Sequence, residues 1–197
     1  MQLGLLASTH EVGRDYWLGS PSGLQRIELE IGPGDCGFLI QTALRHRETL
    51  YVGIEIRPSS VERVVARPTL PDNFRLLAAD GRWIVLNLLA ADSIDAYHIY
   101  FPDPWWKKRH HKRRLVTDEF AAAAASTLRC GGCVLLATDV APLFEEIAEI
   151  LERAGLVKEP WVRDAADPAC SSYERKYRRQ GRSFAQAIFR KVAAQGE

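Results

Sequence analysis

Polar and apolar residues alternate through Arg26-Ile27-Glu28-Leu29-Glu30-Ile31, the period of a β-strand, and the pattern breaks on Gly32-Pro33-Gly34, which predicts a glycine turn. From Cys36 to Arg47 the apolar residues Phe38, Leu39, Ala43 and Leu44 fall at helical spacing. Leu50 to Ile56 reads as a second strand; Arg57-Pro58 stops it, and Pro58 opens a short helix to about Ala66. Phe74 to Ala79 is a shorter third strand closed by Asp80-Gly81, Arg82 to Leu89 is helical, and Ala96 to Phe101 is a fourth strand. Thr117 predicts a helix cap, with Asp118 and Glu119 favourably placed in the first turn. Alanines carry that helix to Leu128, and Gly131-Gly132 are expected to end it before a fifth strand, Val134 to Thr138. Pro142 opens the clearest helix, lined on one face by Leu143, Ile147, Ile150, Leu151 and Ala154 and ended by Gly155.

Strands alternating with helices predict an α/β fold with a mostly parallel sheet and helices on both faces. Ligands of such sheets bind beyond the carboxyl ends of the strands. The residues expected there are Gly32 and Gly34 after the first strand, Glu55 after the second, Asp80 after the third, Asp103 after the fourth and Asp139 after the fifth.

The chain has 197 residues, 47% hydrophobic and 26% charged, which fits one globular domain and argues against disorder. A short segment, 1–25, is expected to precede a domain over 26–197. No apolar run reaches the length of about 18 residues that a membrane span needs, and residues 1–25 lack the apolar core of a signal peptide, so a cytoplasmic protein is expected. Cys130-Gly-Gly-Cys133 has CxxC spacing, but no second CxxC or HxxxH pair accompanies it, so no metal is expected.

Net charge is only +1, yet its distribution is uneven. Lys107, Lys108, Arg109, Lys112, Arg113 and Arg114 form one cationic run, and Arg175, Lys176, Arg178, Arg179 and Arg182 a second; neither contains an acid. With these eleven of the 26 basic residues set aside, the remaining fifteen face 25 acids. One such run would read as a solvated loop. Two on an acidic body point to a polyanionic partner.

The glycine turn lacks the spacing of a dinucleotide-binding loop, and Asp35 would oppose a pyrophosphate. Carboxylates ending the second and third strands suit ribose hydroxyls and an adenine amine, and a cationic cofactor without phosphate suits the acids better. S-adenosylmethionine has all three features; acids that only cap loops are the plainer alternative. In the segment Phe101 to Arg114, Pro102 ends the strand and Pro104 disfavours helical angles at Asp103, which holds that carboxylate on a stiff turn. Trp105 and Trp106 offer flat faces to a base, and the cations that follow suit phosphates.

Phe101 to Leu115 strongly resembles the FPDPWxKxRHxKRR signature of the bacterial tRNA (guanine-N7)-methyltransferases. Supporting matches run through Leu29-Glu30-Ile31-Gly32, Gly53-Ile54-Glu55, Ala137-Thr138-Asp139 and Ser171-Ser172-Tyr173-Glu174, so the resemblance covers about residues 26–191. It implies a single Rossmann-like class I methyltransferase domain with a mostly parallel seven-stranded sheet. It also implies transfer of a methyl group from S-adenosylmethionine to N7 of a guanine in the tRNA variable loop. Carried over by position, Glu30, Gly32, Gly34, Glu55, Asp80 and Asp103 would bind the donor, with Asp103 also the catalytic acid. Lys107, Asp139, Ser171, Ser172, Tyr173 and Glu174 would bind substrate, and Arg109, His110, His111, Lys112, Arg113 and Arg114 would contact RNA. Cys36 stands where the family has its third loop glycine, Trp106 where it has a proline, and Ser171-Ser172-Tyr173-Glu174 where it has Thr-x-Phe-Glu. A non-catalytic RNA-binding protein of this fold, and a methyltransferase acting on an exocyclic amine, are the alternative readings. The oligomeric state, monomer or homodimer, is left open by the sequence.

Overall fold

The computed structural model describes residues 25–161 and 169–193, and the expected leading segment 1–25 lies outside them except for Gln25. Seven strands form one sheet: β1 (Arg26–Ile31), β2 (Thr49–Glu55), β3 (Phe74–Ala78), β4 (Ile94–Tyr100), β5 (Leu128–Thr138), β6 (Leu156–Glu159) and β7 (Ala185–Lys191). Their order is β3-β2-β1-β4-β5-β7-β6. The first five pair in parallel, and β7 runs antiparallel to both β5 and β6. The helices are α1 (Gly37–Arg45), α2 (Pro58–Val65), α3 (Gly81–Asn87), α4 (Asp118–Thr127), α5 (Ala141–Arg153) and α6 (Ser172–Arg179), with a 3-10 helix over Lys108–Arg113. The expected mostly parallel, seven-stranded α/β architecture is therefore observed.

Both faces of the sheet are buried, as crossover helices require. On one face Leu29, Val52, Ile54, Tyr97, Ile99, Val134 and Leu136 pack with Ile84 and Val85 of α3, Phe120 and Ala124 of α4 and Ile147 and Leu151 of α5. On the other, Tyr51 and Phe74 pack with Phe38, Leu39 and Ala43 of α1 and Val64 of α2, in a cluster that also holds Cys36. Local chemistry starts two of the helices: Thr117 accepts from the backbone N–H of Phe120, as expected, and Asp80, read from the sequence as closing β3, also caps α3 by accepting from the backbone N–H of Arg82 (2.9 Å) and Trp83 (3.3 Å).

One expected boundary is corrected. Gly131 and Gly132 do not stop α4, which ends at Thr127; β5 begins at Leu128 and runs through both glycines. The pairing with β4 jumps there, from Ile94 opposite Leu128 to Ala96 opposite Cys133, so 129–132 bulge out of the ladder. Gly131 takes φ +80°, and a Cβ on Gly132 would lie 2.9 Å from the Arg129 carbonyl oxygen and 3.0 Å from that of Asp95. These glycines serve a kinked strand and a close backbone approach. Cys130 is exposed and Cys133 half-buried, and burial, as the main cause, pushes the Cys133 thiol up to about 11, well away from a reactive thiolate.

Among the described residues no helix is long and apolar enough to cross a membrane, and no group of three or more His, Cys, Asp or Glu is arranged to hold a metal.

Candidate functional site

The carboxyl edge of the parallel strands brings the first group of expected residues together. Glu30 lies near the end of β1, beside Gly53 of β2 and His98 of β4, and is 3% exposed. Its Oε2 is buried and has no hydrogen-bond partner among the described residues. Burial, and then the charges of Asp35 and Glu55, push its carboxyl up to about 8. A buried carboxylate without a partner is costly, and a cation placed against it relieves the cost.

The turn after β1 supplies the second feature. Gly32 (φ +75°) and Gly34 (φ +56°) are left-handed, and a Cβ built on either meets nothing within 4 Å, so open space borders the loop. Gly32 N–H donates to the Ile54 carbonyl at 2.8 Å, and Gly34 N–H donates to Glu55 Oε2 at 3.1 Å. The loop is thereby stitched to the end of β2.

Cys36, at the family's third glycine, also adopts a left-handed backbone (φ +55°). Its side chain is fully buried in the cluster with Phe38, Leu39 and Tyr51, and burial, reinforced by Glu30 and Asp35, holds the thiol far above its ordinary range. The departure from glycine is thus accommodated as a neutral, packed side chain.

Glu55 is buried and held from two sides: Oε2 by Gly34, and Oε1 by the Arg57 backbone N–H (2.9 Å) and side-chain Nε (3.1 Å). The Arg57 guanidinium is held protonated chiefly by Glu55, and it also lies in the field of Asp103 and Tyr173. Arg57 is thus fixed by Glu55 at the end of β2. In the sequence Arg57-Pro58 is legible only as the end of β2; no spacing marks the guanidinium as a partner of Glu55. Asp80 is exposed, with Oδ1 committed to the cap of α3.

Asp103 is exposed on an extended segment flanked by two left-handed residues, Phe101 (φ +50°) and Trp105 (φ +46°). Positive φ at bulky residues is costly and persists only where packing enforces it. Phe101 is packed by Tyr173 (ring centroids 5.6 Å apart), Tyr177 (5.3 Å) and Phe184 (5.5 Å). Trp105 carries the Arg113 guanidinium 5.0 Å over its ring, with His110 edge-on at 5.8 Å. Tyr173 reaches the Asp103 turn because it stacks on Phe101, and it remains 52% exposed.

The basic residues divide. Lys107, Arg109, His111, Lys112 and Arg113 are exposed on or beside the 3-10 helix, and His110 is half-buried against Trp105. Arg114, expected to contact RNA, instead faces inward: Nε donates to the Pro104 carbonyl at 3.0 Å and the guanidinium pairs with Glu146 of α5. In this structure Arg114 is half-buried, with Nε and one terminal nitrogen of its guanidinium engaged inside the chain.

The last group forms a structural knot. Ser171 caps α6, its Oγ accepting from the Glu174 N–H at 3.1 Å, and Glu174 is buried in an ion pair with Arg178 at 2.6 Å. Ser172 is exposed at the start of α6. Asp139 accepts from the Tyr177 hydroxyl at 2.8 Å and lies 3.4 Å from Arg182, which covers the Tyr177 ring. Of this group Ser172 and Tyr173 are exposed, while Ser171, Glu174 and Asp139 are engaged in holding α6 in place.

Beneath Glu30 on the same sheet face, His98 bridges Glu28 Oε2 (2.8 Å) and the Tyr100 hydroxyl (2.7 Å), and Tyr100 stacks on Trp161. Burial alone would raise the Glu28 carboxyl, but His98 and Arg26 hold it below its ordinary value. Two carboxylates two residues apart on one strand thus differ in kind: Glu28 is satisfied and Glu30 is not.

A family model described as "Putative methyltransferase" matches residues 25–187. A protein of Anaeromyxobacter dehalogenans named tRNA (guanine-N(7)-)-methyltransferase is 37% identical over 162 residues, covering 79% of this chain and 81% of its own. A protein of the same name from Rubrobacter xylanophilus is 30% identical over 184 residues, covering 89% and 82%. One from Thermus thermophilus is 34% identical over 168 residues, covering 84% of this chain but only 54% of its own; the chain spans about half the length of this relative. Among solved structures, the aminoglycoside resistance methyltransferase NpmB1 superposes with a TM-score of 0.65 at 18% identity, over 92% of this chain and 95% of its own. The 16S rRNA methyltransferase KamB gives 0.65 at 16% identity, over 96% and 98%. At such identities these two structures speak for the fold alone.

Proposed function

Because the chain belongs to the family of tRNA (guanine-N(7)-)-methyltransferases, we propose that it transfers a methyl group from S-adenosylmethionine to N7 of a guanine in the variable loop of tRNA, in the cytoplasm. The observation that carries this reading is the buried, unpartnered Oε2 of Glu30 beside the open side of the Gly32–Gly34 loop. A donor with an ammonium and a sulfonium group fits that carboxylate, and a donor with a phosphate does not.

S-adenosylmethionine, when bound, supplies an electrophilic methyl group on a sulfonium sulfur. Glu30 would hold the cationic end of the donor, with the loop at Gly32 and Gly34 admitting its backbone closely. Glu55, prevented from rotating by Gly34 and Arg57, would accept from the ribose hydroxyls with its remaining lone pairs. Asp80 has Oδ2 left for an adenine amine while Oδ1 caps α3.

Guanine N7 carries an in-plane lone pair, so no strong general base is required and alignment is the main demand. Asp103 would accept hydrogen bonds from the donors on the guanine Watson–Crick edge, orienting the base and offsetting the positive charge that spreads into the purine. Tyr173, exposed and stacked on Phe101 at the start of the Asp103 turn, would offer a face for the same base. Lys107, Arg109 and Lys112 would hold phosphates on either side.

The test is transfer of labelled methyl from S-adenosylmethionine to unmodified tRNA, followed by nucleoside mass spectrometry. Labelled 7-methylguanosine that disappears in Asp103→Ala, with tRNA binding largely retained, is the expected result. A product methylated on an exocyclic amine, or tRNA binding without any product, would overturn it.

A further inference from the structure

We propose that Trp106 is the platform on which an unpaired nucleobase next to the methylated guanine stacks. The inference rests on the reading of the site given above and adds a contact outside the groups assigned there.

Two tryptophans adjoin in the sequence, and the fold treats them differently. Trp105 turns back on the 3-10 helix, where Arg113 covers its ring and His110 packs against it. Trp106 is 69% exposed and has no ring or cation contact among the described residues. Trp105 is therefore part of the scaffold, and Trp106 is the ring left free by it.

The surroundings identify the occupant. Lys107, Arg109 and Lys112 are exposed in the next few residues of chain. A single flat apolar ring in a cationic field matches one base and its phosphates, because stacking uses the π-face that every base has while the cations follow the backbone. A folded protein or a lipid surface would call for a broader apolar patch. At most about 10 Å of chain separates Asp103 from Trp106, which places the ring within reach of a nucleotide adjoining the one that Asp103 orients.

The turn bearing Trp106 is also stiff. The Phe101 cluster holds its start, and Arg114 ties Pro104 to Glu146 on α5. Little backbone entropy then remains to be lost when a base docks.

The test combines protein and RNA changes in binding of a fluorescein-labelled tRNA transcript. Trp106→Ala is expected to weaken binding about tenfold and Trp106→Phe much less, with Tm unchanged because the ring is exposed. Transcripts lacking the base immediately before or immediately after the target guanine are then compared. At one of these positions loss of the base should weaken wild-type binding by a similar factor and Trp106→Ala binding no further. Binding of Trp106→Ala within twofold of wild type, or base-removal losses that add in full to the variant's loss at both positions, overturns the proposal. A wild-type chain that binds the transcript but forms no 7-methylguanosine refutes the proposed activity instead, and the binding comparison still decides for Trp106.

Discussion

Arg114 donates from Nε to the Pro104 carbonyl oxygen at 3.0 Å, so the last residue of the basic signature braces the proline that follows Asp103. The guanidinium also pairs with Glu146, which fastens the Asp103 turn to α5. Arg114→Lys keeps the charge but loses the planar fork needed for both contacts. We expect Arg114→Lys and Arg114→Ala each to lower kcat at least tenfold while tRNA affinity falls much less, and Glu146→Ala to reproduce part of the effect. Steady-state kinetics beside a filter-binding titration checks this; a loss confined to tRNA affinity would return Arg114 to the RNA-contacting group.

Arg109 and Lys112 behave oppositely if they meet phosphates. Each substitution to alanine is expected to weaken binding uniformly across tRNAs and to reduce the slope of log affinity against log salt by about one. The measurement is affinity at several salt concentrations. An unchanged slope in both variants would mean that these cations face solvent in the complex.

Glu30 links donor binding to pH. Its folded-state value of about 8 lies above the ordinary 4.5, so the folded chain holds this proton more tightly than the unfolded chain. Its contribution to stability is complete below the ordinary value and is lost as pH rises through about 8. Glu30→Gln removes that loss. The variant should match wild type in Tm near pH 5 and exceed it by at least about 3 °C at pH 8, while binding S-adenosylmethionine at least tenfold more weakly. Between the two values, donor binding to wild type should release a proton, measurable by calorimetry in buffers of different ionisation enthalpy. Equal Tm gaps at both pH values would contradict the buried, unpartnered state of this carboxyl.

Gly132 sits where the kinked β5 passes the backbone of β4. A Cβ there would meet two carbonyl oxygens at 2.9 and 3.0 Å, and a backbone atom cannot swing aside as a flexible side chain can. Gly132→Ala is expected to destabilise by about 1–3 kcal/mol, seen as a drop of roughly 5 °C in Tm. Calorimetric unfolding checks it; a neutral result would mean that the bulge relaxes freely.

Much of the site is legible in the chain because short-range chemistry writes it. The glycine turn, the Thr117 cap, the proline-flanked Asp103 and the two basic runs depend on neighbours within a few residues. The strands β6 and β7 and the kink in β5 were less legible. Gly131-Gly132 ends a helix as well as it permits a bulge, and only pairing with β4 across the sheet distinguishes the two outcomes.

The sequence by itself determined the alternation of strands and helices, the residues that reach the carboxyl edge, and the adjacency of an acid, two tryptophans and a cationic run. Tertiary structure alone decided which of those residues are free to act. It buried Glu30 with no partner among the described residues, turned Cys36 into the core, fixed Arg57 on Glu55, stacked Tyr173 on Phe101, engaged Arg114 and Trp105 as braces and left Trp106 exposed. The reason is physical: residue type and spacing set what a side chain can do, whereas burial and satisfied hydrogen bonds depend on contacts between segments far apart in the chain, and these become definite only when the sheet closes around them.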